Sequence, residues 1–138
     1  MLRQAVFYEL LHASAQQEDM EMTTRREAID YCLTLDGVFE DYPFHDPNWC
    51  VIRHQDSRKV FAWIFNKDGL VWVNVKCDPQ WRDVWRQAFA SVIPAYHLNK
   101  EHWNSIILDG SVPQADVKRM ICESYDLTAG KKKRGGKK

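Results

Sequence analysis

Residues 60–77 read VFAWIFNKDGLVWVNVKC and decide the fold of this chain. Two runs rich in β-branched and aromatic residues, 60–65 and 70–77, flank the turn sequence Asn-Lys-Asp-Gly, in which Gly69 tolerates the positive φ that a tight hairpin needs. Valines at alternate positions of the second run point to one face, whereas Asn74 and Lys76 point to the other. The stretch predicts an antiparallel hairpin with one face in the core and the opposite face open to water.

Three more segments have the composition of strands. Residues 49–54 precede the hairpin and are joined to it by the polar turn 55–59, which predicts a meander of three strands. Further along the chain, residues 92–94 form a short extended piece and residues 103–108 form another strand. We therefore predict a sheet of about five strands.

The sequence contains clear signals for the start of two helices. Thr24 and Glu27 have the spacing of a capping box, and Gly37 offers the left-handed conformation that ends a helix. Asp78 followed by Pro79 is the second start, because an N-cap oxygen precedes a proline at the first helical position. A stripe at helical spacing then predicts the inward face of this second helix: Trp81, Val84, Trp85, Ala88 and Phe89.

A closing helix is predicted over residues 113–125, which gives the order helix, three strands, helix, two strands, helix. Strands that cluster in this way, rather than alternate singly with helices, are typical of α+β proteins. We therefore predict a two-layer sandwich in which helices cover one face of an antiparallel sheet.

The length and composition suit one domain. The chain has 138 residues, of which 45% are hydrophobic and 28% charged, and six Trp, six Phe and five Tyr are ample for a packed core. No run approaches the roughly 18 apolar residues of a membrane span. We therefore expect a compact domain with no membrane role.

The net charge of zero conceals an uneven distribution. Residues 130–138 carry six basic side chains and no acid, which leaves 13 basic and 19 acidic residues in the rest of the chain, a charge of −6. We predict that this Gly- and Lys-rich tail is disordered. Such a tail is typical of an arm that binds nucleic acid or another polyanion, and equally of a terminus that only aids solubility.

Residues 1–22 stand apart from the predicted domain, residues 23–129, as a helical extension and linker. A short amphipathic helix is predicted over residues 2–13, with three roles left open: docking on the domain, pairing with a partner or a second copy, or fraying. Glu9 and His12 interrupt its apolar stretch, so it is too weak for a signal peptide.

The four cysteines lie within or beside apolar segments and form no C-x-x-C pair; they are Cys32, Cys50, Cys77 and Cys122. Four cysteines are enough for two disulfides in an oxidising compartment, but an isolated Cys in an apolar segment behaves as a small buried hydrophobe. Together with the weak leader, this pattern predicts a cytoplasmic protein with four reduced thiols.

The densest polar cluster is YHLNKEHWN at residues 96–104, directly before a predicted strand. Its imidazoles, amides, ammonium group and indole offer charge, hydrogen-bond donors and a ring face together, as nucleic-acid contacts require. The same side chains are suited to hold a tight connection in shape through hydrogen bonds. Both interpretations are open at the level of sequence.

Patterns for metal binding and catalysis are weak. His97 and His102 are five residues apart, and Cys77 or Asp78 would have to join them to hold a metal, so no metal site and no cofactor are predicted. Carboxylates also cluster around the sequence Tyr-Pro-Phe-His, at Glu40, Asp41 and Asp46. Such clusters more often line a solvated turn than perform acid–base catalysis, and nucleophile and phosphate-loop motifs are absent. We expect no enzymatic activity.

Several short motifs between residues 23 and 127 resemble the MmcQ/YjbR family of small bacterial proteins. In chain order they are TxREAIxYCL in the first helix, DYPF at 41–44, KCDP at 76–79, YHxNKxHWN at 96–104, LDGSVP at 108–113 and SYDL at 124–127. The stretch that contains them covers about three quarters of the chain.

The resemblance implies the YjbR-like fold, which agrees with the order of elements above. It also implies a non-enzymatic DNA-binding protein with a double-wing arrangement of hairpins and helices and a regulatory role. Carried onto this chain, the DNA contacts fall on one set of side chains: Lys76, Tyr96, His97, Asn99, Lys100, His102 and Trp103. The tail adds four basic residues: Lys131, Lys132, Lys133 and Arg134.

A second class of function stays open beside this one. A sheet face or the 2–13 helix is equally suited to dock a protein partner or a second copy of the chain. The protein would then be an interaction or self-association module with no nucleic-acid role.

Overall fold

The computed structural model describes residues 20–130. Six strands form one antiparallel sheet: β1 Val38–Asp41, β2 Cys50–His54, β3 Val60–Lys67, β4 Leu70–Lys76, β5 Val92–Pro94 and β6 Trp103–Leu108. Their order across the sheet is β1-β2-β3-β4-β6-β5. The helices of the described part are α1 Arg25–Cys32, α2 Pro79–Ala88 and α3 Gln114–Thr128, and they pack on one face of the sheet. The predicted α+β architecture in two layers is confirmed.

The central hairpin and both helix starts form as the sequence predicts. Asp68 and Gly69 turn the chain with φ angles of 55° and 78°, the double positive φ of a two-residue hairpin loop. Thr24 accepts a hydrogen bond from the Glu27 N–H at 3.1 Å, and the Glu27 carboxylate accepts one from the Thr24 N–H. At α2, Asp78 accepts a hydrogen bond from the backbone N–H two residues later at 2.9 Å. Caps of this kind stabilise a helix by about 1 kcal/mol each.

The predicted number of about five strands is wrong by one, because β1 has no strand pattern in its sequence. Its four residues, VFED, are all half-buried and do not alternate between apolar and polar. They pair with β2 alone, so the pairing rather than the composition makes this segment a strand. The predicted end of α1 is corrected in the same region: the helix ends at Cys32, and Gly37, with a φ of 67°, lies in the turn that leads into β1.

The core lies between the sheet and the helices. Ile64, Val73 and Ile106 stand opposite one another on β3, β4 and β6, so their side chains share one face. All three are fully buried and form one cluster with Val117 and Ile121 of α3. Each such side chain contributes about 1.5–3 kcal/mol by burial, which makes this face the main source of stability.

The predicted inward stripe of α2 is wrong at three of its five positions. Trp85 is buried and stacks on Phe89 with ring centroids 6.2 Å apart. In contrast, Trp81 and Val84 are 52% and 47% exposed, and Ala88 is exposed as well. The helix lies over β5 and β6 at the edge of the sheet, so only a narrow strip of sheet lies beneath it and only a narrow part of its surface is covered.

The sheet face that points away from the helices is not open to water as predicted. Phe65 of β3 and Asn74 of β4 are 1% and 0% exposed, and Trp72 is 8% exposed. Aromatic rings from loops at both ends of the sheet pack over these positions. The alternation along β4 is confirmed, but both of its faces are covered.

All four cysteines lie in the described part of the chain and are unpaired, and Cys32, Cys50 and Cys77 are buried. Burial raises the pKa of the Cys77 thiol to about 11. Within residues 20–130, none of the helices is long and apolar enough to cross a bilayer. The predicted helix over residues 2–13 and the tail residues 131–138 lie outside the described residues.

Candidate functional site

The candidate site is the sheet face that points away from the helices. We call it the aromatic face and define it by seven rings: Phe44, Trp49, Trp63, Phe65, Trp72, Tyr96 and His97. Phe65 and Trp72 stand opposite each other on β3 and β4, so the strand register places their rings side by side. Trp63 lies two residues before Phe65 and therefore on the same face. The other rings come from the loops before β2 and after β5.

Tyr96 joins the rings of the loops to those of the strands. Its ring centroid lies 6.4 Å from that of Trp49, 6.0 Å from that of Phe65 and 5.9 Å from that of Trp72. Trp49 and Phe65 stack more closely, with centroids 4.1 Å apart and an angle of 25° between the planes. Aromatic pairs contribute about 0.5–1.5 kcal/mol each beyond simple burial, so the rings hold one another in place.

Two buried polar side chains fix the backbone of Tyr96. Asn74 Nδ2 donates to the Tyr96 carbonyl at 3.0 Å, and the Tyr96 N–H donates to Ser105 Oγ at 2.9 Å. Ser105 Oγ in turn donates to Asn74 Oδ1. Buried polar groups that are satisfied in this way act as anchors. Asn74, which the sequence predicts to face water, therefore anchors the loop after β5.

His97 has a left-handed backbone conformation with a φ of 65°. A residue with a side chain reaches this region at a cost of about 1 kcal/mol or more, and such strain is concentrated at functional sites. The exposed imidazole lies 4.1 Å from the Tyr96 ring and 6.2 Å from the Trp49 ring, measured between centroids. The strained turn thus adds a ring with hydrogen-bonding nitrogens to the edge of the aromatic face.

A cavity of about 360 Å³ lies on the aromatic face; it is lined by Phe44, Asp46, Trp49, Trp63, Tyr96, His97 and Leu98. Phe44 is 52% exposed and stacks on Trp63 with centroids 6.1 Å apart and an angle of 22° between the planes. Asp46 is the one carboxylate of the lining, and its Oδ1 accepts a hydrogen bond from the Asn48 N–H at 2.9 Å. An apolar, ring-lined cavity with few polar groups, here the Asp46 carboxylate and the His97 imidazole, suits a planar ligand.

Lys67 supplies positive charge to this face. Its Nζ lies 5.3 Å from the centroid of the Trp72 ring and 5.0 Å from that of the Tyr96 ring. It also donates to Asp68 Oδ2 at 2.9 Å, and this hydrogen bond raises the pKa of Lys67. The ammonium group therefore stays charged above the rings, in a geometry that contributes about 0.5–1 kcal/mol at an exposed site.

Two indole N–H groups on the aromatic face have no hydrogen-bond partner among the described residues. They are Nε1 of Trp63 and Nε1 of Trp72, and both atoms are buried. A buried donor without an acceptor costs about 1–3 kcal/mol. These two indole N–H groups therefore add no hydrogen bond to the stability of this face.

The structure divides the contact residues that the sequence predicts. Tyr96 and His97 belong to the aromatic face. Lys76 and Trp103 stand opposite each other on β4 and β6 and share that side of the sheet. They lie four residues along β4 from Trp72, or about 13 Å at 3.3 Å per residue. The two groups therefore form two patches on one side of the sheet.

The remaining predicted contacts lie in the exposed turn before β6, which arginines of α2 hold in shape. Arg82 Nη1 donates to the Glu101 carbonyl at 3.1 Å, and Arg86 Nη2 donates to the Lys100 carbonyl. Asn99 Oδ1 accepts from the Glu101 N–H at 2.8 Å, so this side chain shapes the turn. The side chains of Lys100 and His102 are exposed. The cluster at residues 96–104 therefore contains a side chain that holds the turn in shape and exposed side chains that are available for contacts. Each of the two interpretations of the sequence applies to part of it.

Sequence reasoning missed most of the site: Phe44, Trp49, Trp63, Phe65, Lys67 and Trp72. Asp46 was considered in the sequence only as part of a carboxylate cluster and not as a binding residue. One signal for them is present in the sequence, because large aromatic residues occupy the face of β3 and β4 that was expected to be polar. Their convergence with Tyr96 depends on loops far apart in the chain. Within residues 20–130, no group of three His, Cys, Asp or Glu side chains is placed to hold a metal ion.

Comparison with known proteins identifies the family. The family model named YjbR matches residues 33–127. The chain belongs to the YjbR family. The uncharacterized protein YyaQ of Bacillus subtilis is 32% identical over 118 residues, which span 78% of this chain and 99% of YyaQ. YjbR of Escherichia coli K12 is 28% identical over 102 residues, which span 74% of this chain and 84% of that protein.

Solved structures of relatives have the same fold. The structure of Deinococcus radiodurans protein DR2400, a DUF419 domain, aligns with a TM-score of 0.71 and 31% identity over 80% of this chain and 81% of that one. A Pseudomonas syringae protein aligns with a TM-score of 0.69 and 28% identity over 77% of this chain and 99% of its own. The family and the fold that the motifs predicted are confirmed.

Proposed function

We propose that this chain binds single-stranded nucleic acid by stacking bases on the aromatic face, and that it acts by binding rather than by catalysis. One observation carries the proposal: aromatic rings cluster on one side of the sheet, with Phe44 and His97 exposed at its edge. The Lys67 ammonium lies 5.0 Å from the centroid of the half-buried Tyr96 ring and 5.3 Å from that of Trp72. Bases stack on such rings with little regard to sequence, at about 1–3 kcal/mol per base, while lysines meet the phosphates.

Double-stranded DNA suits this face less well. In a duplex the bases stack on one another and present only their edges, so protein rings have no base face to contact. Residues 20–130 hold 12 of the 19 basic and 16 of the 19 acidic side chains, a balance that disfavours long contact with a phosphate backbone. The family resemblance implies DNA binding. We propose that the DNA bound by this chain is single-stranded, with its bases exposed.

Basic groups are available at both ends of the aromatic face. Lys67 lies beside the hairpin turn, and Lys76 lies at the other end of β4, opposite Trp103 of β6. Lys100 is exposed in the turn before β6. The six basic residues of the tail would add positive charge that contacts phosphates without reading sequence.

We place this activity in the cytoplasm, with regulation as its role. The four unpaired thiols support a reducing setting, since disulfides are rare where glutathione and thioredoxin act.

Fluorescence anisotropy of a labelled oligodeoxythymidine of ten nucleotides tests the proposed function. At low salt the full chain should bind this probe saturably, and a duplex of equal length more weakly. Deletion of residues 130–138 should reduce the slope of log K against log salt by up to about 4, at roughly 0.7 per phosphate contact on a single strand. Absence of binding at low salt would overturn the proposal.

A second candidate function is a protein-interaction module, and one observation favours it. Trp81 and Val84 lie three residues apart on α2 and are 52% and 47% exposed. Neighbouring apolar side chains on one helix face are a common basis for docking a partner or a second copy. Sedimentation velocity at several concentrations would detect self-association, and Trp81→Ala should abolish it if this face is the interface.

A further inference from the structure

We infer that the cavity on the aromatic face holds one base of the bound strand, and that Asp46 makes guanine the preferred base. This inference rests on the proposed function and assigns a specific role to one part of the same face. The cavity volume of about 360 Å³ is at the lower end of the roughly 300–1,000 Å³ found for small-molecule sites. Its size fits a single base with its sugar rather than several nucleotides.

Aromatic rings form most of the wall of the cavity. Phe44 and Trp63 lie with their planes 22° apart, and Trp49 and Tyr96 lie with theirs 9° apart. All four rings line the cavity. A base that leaves its own stack regains stacking energy on such rings, which is how enzymes and binding proteins hold flipped bases.

The chemistry of the lining disfavours a phosphate as the occupant. No Lys or Arg belongs to the lining, and its one carboxylate repels an anion. Lys67 supplies positive charge on this face over the rings of Trp72 and Tyr96, and it is not part of the lining. The charges therefore favour the base inside the cavity and the phosphate outside it.

Asp46 selects among the four bases by hydrogen bonding. The Trp49 N–H donates to the Asp46 carbonyl at 3.2 Å, and the Asn48 N–H donates to Asp46 Oδ1 at 2.9 Å, which together fix the residue at the wall. An ionised carboxylate only accepts hydrogen bonds, and its two oxygens match a pair of parallel donors. Guanine presents such a pair, N1–H and the N2 amine, whereas the other bases lack two adjacent donors on that edge.

The test uses the anisotropy assay with the thymidine decamer and with decamers in which one central residue is guanine, hypoxanthine or adenine. The full chain should bind the guanine probe about tenfold more tightly than the adenine probe. The hypoxanthine probe, which lacks the N2 amine, should fall between them. Asp46→Asn should remove the difference between the guanine and adenine probes.

Two control variants separate selection from folding. Asp56→Asn changes an exposed carboxylate in the turn between β2 and β3 and should keep the full preference. Asp46→Glu keeps the acceptor pair and should retain a measurable preference for guanine.

Each outcome decides between the two proposals. Equal affinities for the guanine and adenine probes, with the thymidine decamer still bound, would overturn the guanine site and leave single-strand binding standing. A preference that survives in Asp46→Asn would overturn the role of Asp46. Failure of every probe to bind at low salt would overturn both proposals together.

Discussion

The two faces of the sheet are both covered, but in different ways. Toward the helices, aliphatic side chains such as Ile64, Val73 and Ile106 are completely buried. On the aromatic face, loop rings provide the cover, Phe44 remains 52% exposed, and two buried indole N–H groups lack partners among the described residues. The first face is closed and the second keeps accessible rings. The helix-covered face therefore stabilises the fold, and the aromatic face is the one at which we propose binding.

The largest effect is expected from a change on the helix-covered face. Trp85→Ala removes a buried aromatic side chain that stacks on Phe89 and donates to Glu123. It should lower the free energy of unfolding by about 3–5 kcal/mol, measured by urea denaturation. Trp81→Ala on the same helix is the matched control and should cost less than about 1 kcal/mol, since its side chain is 52% exposed. A loss below about 1 kcal/mol for Trp85→Ala would mean that α2 does not pack on the sheet.

Thiol reactivity should show whether the helix-covered face is closed to solvent. Cys32, Cys50 and Cys77 are buried, and burial raises the pKa of each of these thiols, so little thiolate is exposed to a reagent. We expect these three to react with an aromatic disulfide reagent more than about 100-fold more slowly in the native than in the unfolded protein. Unfolding without reductant should release all four thiols. A count below four in freshly purified protein would indicate a disulfide.

On the aromatic face, loss of an anchor should affect stability less and binding more. Asn74→Ala removes the hydrogen bond to the Tyr96 carbonyl and leaves Ser105 without its acceptor. The free energy of unfolding should fall by about 1–3 kcal/mol, and the affinity for the thymidine decamer should fall as Tyr96 loses its position. Unchanged affinity in a folded Asn74→Ala variant would separate Tyr96 from the binding surface.

The smallest effect is expected in the connection between β6 and α3, outside both faces. Hydrogen bonds from Ser91 and Ser111 lower the pKa of Asp109 to about 2. Because this folded pKa lies below that of the unfolded chain, the carboxylate contributes stability above about pH 4, and the contribution is lost as the pH falls towards 2. Ser91→Ala should therefore reduce stability at neutral pH by a few tenths of a kcal/mol, given the exposure of the group, and reduce it less at pH 2. Denaturation at both pH values would check this, and binding should not change.

The parts of the fold that depend on neighbouring residues in the chain could be predicted from the sequence. The capping box at Thr24, the Asp78-Pro79 start and the turn at Gly69 each involve groups within a few positions of one another. β1 could not be predicted, because its four residues become a strand only by pairing with β2. The exposure of Trp81 depends on the placement of α2 at the sheet edge, which its amphipathic pattern does not contain.

The candidate site was predictable only in part, for the same physical reason. Tyr96 and His97 stand in a dense polar motif that draws attention in the sequence. Trp49 and Trp72 are 23 positions apart in apolar segments, where an aromatic residue most often belongs to a core. The register of β3 and β4 and the left-handed turn at His97 bring these rings together, and neither feature is visible in composition or periodicity.

Two equally exposed aromatic side chains allow the most direct test of the difference between the faces. Phe44 lies on the aromatic face and Trp81 lies on α2, and both are 52% exposed. Phe44→Ala should weaken binding of the thymidine decamer by about tenfold, as expected for the loss of a stacking ring, whereas Trp81→Ala should leave the affinity within about twofold of the parent chain. Equal affinities for the two variants, or a larger loss for Trp81→Ala, would contradict the assignment of nucleic-acid binding to the aromatic face.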